Sequence, residues 1–289
     1  MAQLTVAVLG AGTMGAGMVT SLRRAGLPVR VWNRDPAKAQ ALADTGAEAC
    51  PTPAEAADGA DVVLTMVLDA DAAIDVVTQA SPAAGTTWLQ CSTVGVEGAD
   101  RTVATARDLG LVLVDCPVLG TKEPAAKGAL TLLASGPEEA RERLAPMFEA
   151  LGSKTVWLGE AGAGSRLKLA CNSWLFMLTT GTAQAIALTR GLGLDPQRFL
   201  DAIAGGPVDS PYAHVKGGLM IAGDYPPSFA LGGATKDARL IRAALEGAGV
   251  SDRLTAAVLA TMEATAERVG DPGVVDMAAV LEGLTGPRD

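Results

Sequence analysis

Residues 4 to 15 read Leu4-Thr-Val-Ala-Val-Leu-Gly-Ala-Gly-Thr-Met-Gly15, an apolar run that ends in three spaced glycines. The run is typical of a buried strand, and the residues after it continue with helical spacing. In such a unit the first glycine permits a tight turn, the second admits a pyrophosphate, and the third lets the helix pack on its strand. The helix N-terminus adds partial positive charge. This context predicts a dinucleotide-binding loop rather than an ordinary glycine-rich turn, formed by Gly10, Ala11, Gly12, Thr13, Met14 and Gly15.

Short strands alternate with Ala-rich helical stretches, such as Met14–Ala25 and Pro36–Thr45, as far as about residue 158. The predicted strands are Leu4–Leu9, Val29–Trp32, Val62–Met66, Thr87–Gln90, Leu111–Val114 and Leu130–Ala134. This alternation predicts an α/β domain over residues 1–161, a Rossmann-type, doubly wound and mostly parallel sheet with helices on both faces.

Strand signals stop after residue 159, and a proline-free apolar stretch predicts one long helix over about 165–190. The stretch is apolar almost all round, which is typical of a helix that is covered on most sides. Further helices are predicted at Pro196–Ala204, Thr235–Gly247 and Asp252–Arg268. The sequence therefore predicts that the long helix joins the sheet to an all-α C-terminal domain over residues 162–289.

The composition argues against several classes of protein. The sequence has 32 acidic against 23 basic residues, a formal net charge of −9, so phosphate backbones and anionic lipids should repel it. Its four cysteines are far apart and it has one histidine, so neither a metal site nor a disulfide framework is expected. No apolar run has the length of a membrane span, and the first residues lack the basic start of a signal peptide. We expect a cytoplasmic protein with no nucleic-acid or membrane partner and no metal.

The end of the second predicted strand bears on which dinucleotide is bound. An NAD site usually has an acidic residue there for the ribose 2′-hydroxyl, whereas this chain has Asn33 and Arg34. The Arg34 guanidinium suits a 2′-phosphate, although it could also be a solvated loop charge. Asp35 argues for NAD, but Pro36 should start a helix and turn that carboxylate toward the helix N-terminus. We predict that Asn33 and Arg34 bind the cofactor and that NADP(H) is preferred over NAD(H).

Three further segments carry motifs in a recognisable order. They are Asp115-Cys-Pro-Val-Leu-Gly-Thr121, Gly162-Ala-Gly-Ser-Arg-Leu-Lys-Leu-Ala-Cys-Asn172 and Lys236-Asp237. With the glycine loop and its Met14, they resemble the β-hydroxyacid dehydrogenases, which include 3-hydroxyisobutyrate dehydrogenase and tartronate semialdehyde reductase. The resemblance extends over essentially the whole chain. Thr121-Lys-Glu-Pro-Ala125 and Tyr225-Pro-Pro-Ser-Phe229 are most similar to the NADPH-dependent glyoxylate and succinic semialdehyde reductases.

The resemblance implies an NAD(P)-dependent dehydrogenase or reductase that transfers hydride between the cofactor and a small carbonyl or hydroxy substrate. It places Thr93 near the nicotinamide and the substrate, and Lys236 beside the cofactor, although Lys236 also fits a plain helix-surface charge. Leu119, Gly120 and Thr121 would bind the substrate. The family usually has a carboxylate-binding serine where this chain has Leu119, which cannot donate a hydrogen bond. The Thr121 hydroxyl could replace it, or the substrate could be a less polar aldehyde, ketone or imine.

Lys168 and Asn172 are the predicted catalytic and substrate-binding pair. They stand four residues apart in an apolar stretch, so on a helix they share one face. A buried ammonium is costly without a partner or a purpose, and burial lowers the pKa of a lysine toward the range that is useful for proton transfer. Asn172 could accept a hydrogen bond from the ammonium or donate one to the substrate oxygen. Alternatively, Lys168 extends to the surface and Asn172 satisfies the backbone.

Four further expectations concern rival functions, assembly and the one histidine. An imine reductase is the rival enzyme, although that family does not keep the lysine of this helix. A non-catalytic dinucleotide-binding scaffold is the rival from another class. The resemblance implies a homodimer or homotetramer built through the helical domain. His214 lies in a loop-like stretch, Ser210–His214, without an acidic neighbour to orient it, so we expect no catalytic role for it.

Overall fold

The computed structural model describes residues 4–285. The chain divides into two compact units, which meet in sequence between Lys168 and Leu169. The sequence-based boundary between residues 161 and 162 stays a prediction. In chain order the strands and α-helices are β1 Val6–Leu9, α1 Thr13–Arg24, β2 Val29–Trp32, α2 Pro36–Gln40, β3 Glu48–Ala49, α3 Pro53–Ala57, β4 Val62–Thr65, α4 Ala70–Ala80, β5 Thr87–Gln90, α5 Gly95–Asp108, β6 Val112–Asp115, β7 Val118–Leu119, α6 Lys122–Lys127, β8 Leu130–Ala134, α7 Glu138–Leu151, β9 Gly152–Trp157, α8 Ala163–Gly191, α9 Gln197–Ile203, α10 Pro211–Ala222, α11 Leu231–Gly247, α12 Arg253–Val269 and α13 Val280–Leu284.

A six-stranded sheet, all of whose strands pair in parallel, forms the centre of the first unit, in the order β3-β2-β1-β4-β5-β6. Strands β1, β4 and β5 are buried on both faces, which explains the near-continuous apolar sequences of β1 and β4. Successive side chains of β1 enter different cores: Val6 and Val8 belong to one cluster, and Ala7 and Leu9 to another. The predicted doubly wound sheet with helices on both faces is therefore confirmed.

The strand predictions differ from the structure mainly where strands are short or polar. The sequence did not predict the edge strand β3 of the main sheet, which has two residues and no alternating pattern. Leu130–Ala134 does form a strand, β8, but it belongs to a separate three-stranded sheet, β7-β8-β9. In β9, Ser153, Lys154 and Thr155 are exposed, so this strand lacks the apolar signal that marks the others.

The second unit contains the remainder of α8 and the helices α9 to α13, and no strand is assigned within residues 169–285. The predicted long helix and all-α region are confirmed. The prediction of a loop around Ser210–His214 is wrong, because Pro211 occupies the first turn of α10 and His214 lies on that helix. Proline is tolerated at a helix start, where its missing N–H needs no partner. No helix among the described residues is long and apolar enough to cross a membrane.

A buried ion pair fixes the segment before α11. Lys216 Nζ lies 2.7 Å from Asp276 Oδ1, and both side chains are almost fully buried. The carboxylate also accepts the backbone N–H groups of Ser228, Phe229 and Ala278. Burial raises the pKa of Asp276, but the ammonium and these N–H groups outweigh burial and hold the pKa below its usual range. The start of α11, which carries Lys236 and Asp237, is thereby tied to the C-terminal segment.

Candidate active site

The candidate site of the first unit lies where the strand order of the main sheet reverses, between β1 and β4. In a doubly wound sheet, ligands bind at the carboxyl ends of the strands at this switch point. The glycine loop follows β1, and the segment 91–93, which contains Thr93, follows β5. The topology thus brings these two predicted segments to the same edge of the sheet.

The three glycines of the loop have different surroundings. A Cβ atom at Gly10 would lie 2.3 Å from the Met66 carbonyl oxygen, and one at Gly15 would lie 1.9 Å from the Gly10 carbonyl oxygen. Packing of the loop and α1 therefore requires both. A Cβ at Gly12 would meet no protein atom within 4 Å, and its φ of −69° suits any residue. The chain's own fold leaves open space beside Gly12, which fits a pyrophosphate approaching the N-terminus of α1.

Asn33 supports the glycine loop from the end of β2. Its Oδ1 accepts the Ala11 backbone N–H at 2.9 Å, and its Nδ2 donates to the Asp35 carbonyl oxygen at 3.0 Å. The Ala11 N–H is thus engaged within the chain, so it is not the donor that a pyrophosphate would use. Thr13 and Met14 form the first turn of α1 beyond Gly12. The sequence did not predict this bond between the two candidate cofactor segments.

The two charged residues after Asn33 point to different tasks. Asp35 is the N-cap of α2, and its Oδ1 accepts the Ala37 N–H at 3.1 Å, as expected from Pro36. Arg34 is exposed, and its guanidinium has no ion-pair partner within residues 4–285. Arg34 is therefore available to an anionic ligand, while the Asp35 carboxylate remains an exposed negative charge one residue away.

The segment before Thr93 is held by the end of β5. Gln90 Oε1 accepts the Ser92 N–H at 2.7 Å, and its Nε2 donates to the Ser92 carbonyl oxygen at 2.9 Å. The Ser92 hydroxyl accepts the Val67 N–H at 2.9 Å, which joins the ends of β5 and β4. Thr93, half-buried, follows directly after this fixed residue.

A buried carboxylate at the end of β6 binds the start of α8. Asp115 is fully buried and accepts the Ser165 N–H at 2.8 Å and the Ser165 hydroxyl at 2.7 Å. The Ser135 hydroxyl accepts the Gly164 N–H at 3.0 Å. Burial raises the pKa of Asp115, and the hydrogen bonds from Ser165 and Ser135 offset part of that rise. The sequence predicts no task for these residues, although an acidic residue at the end of an apolar strand could have indicated a buried carboxylate with a structural role.

Lys168 follows one turn later and is buried, with 9% of its surface exposed. Its Nζ donates to the Val118 carbonyl oxygen at 2.8 Å, so the alternative of a lysine that extends to solvent is wrong. Val118 begins β7, which ends at Leu119 and is followed by Gly120 and Thr121. The structure thus brings the ammonium to the loop that the sequence predicts for the substrate. Thr121 is the N-cap of α6, but its hydroxyl does not cap that helix.

In the second unit, Asn172 is 1% exposed and its Nδ2 donates to Asp237 Oδ2 at 2.8 Å. The other oxygen of Asp237 lies 2.7 Å from Lys236 Nζ. Three residues from two predicted motifs are therefore joined on α8 and α11. Asp237 therefore contacts both Asn172 and Lys236.

His214 has the acidic neighbour that the sequence analysis did not find. Its Nε2 lies 2.6 Å from Asp209 Oδ1, five residues earlier. Asp209 also accepts the Gly205 N–H, and these bonds hold the pKa of its carboxyl below the usual range. No group of three or more His, Cys, Asp or Glu side chains within residues 4–285 is placed to hold a metal ion.

Comparison with known proteins adds to this geometry. Residues 5–159 match the family described as the NAD-binding domain of 6-phosphogluconate dehydrogenase. Residues 162–284 match the family described as NAD-binding of NADP-dependent 3-hydroxyisobutyrate dehydrogenase. The two matches together account for nearly all of the described chain.

Individual relatives are similar at moderate identity. Glyoxylate/succinic semialdehyde reductase 1 of Arabidopsis thaliana is 31% identical over 292 residues, 99% of this chain and 100% of that protein. An NAD-dependent L-serine dehydrogenase of Pseudomonas aeruginosa is 37% identical over 200 residues, 66% of this chain and 65% of that protein. A solved structure of Mycobacterium tuberculosis 3-hydroxyisobutyrate dehydrogenase with L-serine has a TM-score of 0.86 at 28% identity, covering 99% of this chain and 100% of that chain.

The different surroundings of the three glycines predict different results for the same substitution. Gly12→Ala should fold normally, with the melting temperature lowered by a few degrees at most, but should weaken NADPH binding at least ~10-fold, because the methyl group fills the space for the pyrophosphate. Gly15→Ala is the matched control and should fail to fold stably, since its Cβ overlaps a backbone oxygen. Thermal unfolding and fluorescence titration with NADPH measure both. Unchanged NADPH affinity in Gly12→Ala would contradict the assignment of this space to the cofactor.

Proposed function

The chain belongs to the β-hydroxyacid dehydrogenase family of NAD(P)-dependent oxidoreductases, and we propose that it interconverts a small aldehyde or ketone and the corresponding alcohol, with NADP(H) as cofactor and Lys168 as proton donor and acceptor. The observation that carries this proposal is the buried ammonium of Lys168, which is bound to the backbone beside the predicted substrate loop. A buried lysine is costly unless it has a purpose, and a group that holds and releases a proton is such a purpose.

The chain's own residues would bind and orient the reactants. The space at Gly12 and the N-terminus of α1 would hold the pyrophosphate. When bound, the nicotinamide supplies or accepts the hydride. Lys168 would donate one N–H to the substrate oxygen while its bond to the Val118 carbonyl oxygen fixes Nζ. In reduction Lys168 gives its proton to the oxygen that becomes a hydroxyl, and in oxidation it takes that proton back.

The loop after β7 supports the proposed substrate class. Leu119 cannot donate a hydrogen bond, so the half-buried Thr121 hydroxyl, which does not cap α6, is the proposed polar contact. Glyoxylate and succinic semialdehyde are the proposed substrates, on the likeness to the Arabidopsis reductase. An imine reductase is the alternative that Leu119 favours, and Lys168 argues against it. A non-catalytic scaffold would have no use for a buried ammonium at this position.

We assign the cofactor preference to Arg34. Its exposed guanidinium without an ion-pair partner in the described chain suits a 2′-phosphate, to which arginine can bind in a bidentate manner. Asp35 opposes that preference through its charge, although its capping bond to Ala37 directs the carboxylate to α2. The proposed preference for NADP(H) over NAD(H) therefore depends on the attraction of the 2′-phosphate to Arg34 outweighing its repulsion by Asp35.

A surface of α8 supports assembly into a homodimer. Trp174, Gly181 and Leu188 recur at seven-residue spacing, so they share one face of the helix, and all three are exposed. Trp174 is 70% and Leu188 is 60% exposed, so two large apolar side chains on this face of the helix are open to solvent. A glycine within a helix costs ~0.5–1 kcal/mol relative to alanine, and nothing within 4 Å requires one at position 181. Close approach of a helix from a second copy of this chain accounts for both features.

The proton-transfer role of Lys168 is tested by removing its ammonium. Lys168→Ala should lower kcat for glyoxylate or succinic semialdehyde by about 10²–10⁴-fold and leave NADPH affinity nearly unchanged. Lys168→Met, which keeps the length of the side chain, should lose as much activity and shows whether packing contributes. Turnover is followed by NADPH absorbance, and affinity by NADPH fluorescence. Loss of cofactor binding with turnover intact would contradict the role, and turnover of a cyclic imine alone would favour the imine reductase.

The cofactor preference is tested at Arg34. Arg34→Ala should raise KM for NADPH about 10-fold or more and leave KM for NADH nearly unchanged, because only NADPH carries the 2′-phosphate. Asp35→Ser keeps a capping side chain and removes a negative charge, so it should lower KM for NADPH. Lys154→Ala, an exposed cation on β9, is the control with the same change of net charge as Arg34→Ala. Equal changes for both cofactors would contradict the assignment.

The homodimer is tested at the exposed face of α8. Trp174→Glu should convert the protein to a monomer as measured by sedimentation equilibrium, since a buried unpaired charge would oppose association. Val103→Glu on α5, also an exposed apolar residue, is the control and should leave the mass in solution unchanged. A wild-type protein that sediments as a monomer would contradict the proposed assembly.

A further inference from the structure

The side-chain amide of Gln90 is fully buried and forms two hydrogen bonds with one residue. Its Oε1 accepts the Ser92 N–H at 2.7 Å, and its Nε2 donates to the Ser92 carbonyl oxygen at 2.9 Å. Because the Ser92 N–H can bond only to the oxygen end of the amide, the orientation of the amide is fixed. Nε2 carries a second N–H beyond these two bonds, and a buried donor of this kind requires an acceptor.

Asp115 provides that acceptor. Gln90 ends β5, Asp115 ends β6, and the two residues are paired across these parallel strands. Paired residues on neighbouring strands lie on the same face of the sheet, about 5 Å apart. Burial raises the pKa of the Asp115 carboxyl, and a hydrogen bond from the Gln90 side chain is among the contacts that lower it. Gln90 therefore joins the segment 91–93 to the Asp115 carboxylate.

The same carboxylate holds the first turn of α8. It accepts the Ser165 N–H at 2.8 Å and the Ser165 hydroxyl at 2.7 Å. Lys168 lies three residues farther along α8, less than one turn away and within the same unit. A shift of the Asp115 carboxylate would therefore shift or rotate the start of α8 and displace Lys168. One amide and one carboxylate thus connect the segment 91–93 to the lysine.

We propose that Gln90 is a positioning residue that keeps Lys168 aligned with the segment that carries Thr93, an inference that rests on the proposed function. The role requires a neutral side chain that both donates and accepts hydrogen bonds. A glutamate of the same shape would still accept the Ser92 N–H, but it would donate nothing and would place a second carboxylate against Asp115 in a buried space. Misalignment of Lys168 should appear in kcat, whereas loss of a direct substrate contact would appear in KM.

Gln90→Glu makes this position depend on a proton. Two carboxyl groups in contact share a proton, which replaces the lost donor at low pH and is released as the pH rises, so that two negative charges then repel. Between about pH 5.5 and about pH 8, we expect the ratio of the variant's kcat to that of the wild type to fall at least 10-fold, with KM for the aldehyde nearly unchanged. The adjacent thiols stay neutral in this range, because a hydrogen bond with Cys91 and burial raise the pKa of Cys116.

Two control variants isolate the pair. The exchange Gln90→Glu/Asp115→Asn keeps one carboxylate and one amide, so its kcat ratio should not fall as the pH rises. Gln90→Met has a similar length but no charge, donor or acceptor, and its loss of kcat should be the same at every pH. All rates are taken below the melting temperature of each variant. A constant ratio in Gln90→Glu would overturn the proposal, and so would a fall with pH that persists in the exchange variant.

Thermal unfolding without substrate separates the contact from its effect on catalysis. A carboxyl pair whose pKa is raised by folding loses stability as the pH rises, so the melting temperature of Gln90→Glu relative to the wild type should fall over the same pH range. A fall in melting temperature without a fall in kcat would overturn the positioning role, because the contact would then be structural only. A constant difference in melting temperature would contradict the contact itself. Failure of the wild type to turn over either aldehyde would instead contradict the proposed function.

Discussion

The bond between the Asp115 carboxylate and the first turn of α8 determines where the proposed catalytic lysine lies. A helix start leaves N–H groups without partners, and a negative charge placed there satisfies them and interacts favourably with the helix dipole. Asp115 ends a strand of the main sheet, so the main sheet sets the start and the rotation of α8. Lys168 follows three residues after Ser165 and is held from the same segment by the Val118 carbonyl oxygen. Two contacts within one short stretch, 115–118, thereby fix both the backbone and the side chain of this residue.

Within each of the two units, a buried carboxylate has specific partners. The Asp115 carboxylate has hydroxyl and backbone donors instead of a cation, and burial accordingly raises its pKa. Asp237 faces an ammonium on one side and a neutral amide on the other. Such groups are stable only in complete networks, because a half-satisfied buried network is unfavourable. Asn172 Oδ1 is a buried acceptor to which no residue in the described part of the chain donates a hydrogen bond.

The fold was predictable from sequence wherever a local pattern was strong. The strand and three glycines at residues 4–15, and the proline-free stretch that becomes α8, each carry their own signal. Strand β3 was missed because a strand of two residues is too short to show an alternating pattern. Helix α10 was missed because a proline such as Pro211 is compatible with both a loop and the first turn of a helix. The motifs also supplied the residues that we propose for the candidate site. The bonds Asn33 to Ala11, Asp115 to Ser165 and Asn172 to Asp237 were not predictable, since they join residues 22, 50 and 65 positions apart.

Glycines 12 and 181 illustrate a limit on engineering this protein for heat resistance. Neither position has a backbone angle that needs glycine, and neither is crowded by the chain itself. In an isolated chain, Gly181→Ala would raise the free energy of unfolding by ~0.5–1 kcal/mol. A redesign that scores only the folded chain would therefore replace two residues to which we assign cofactor binding and assembly as proposals, and on those proposals stability would rise as recognition declined. A glycine that the folded chain itself does not require is thus a sequence signal for a surface that binds another molecule.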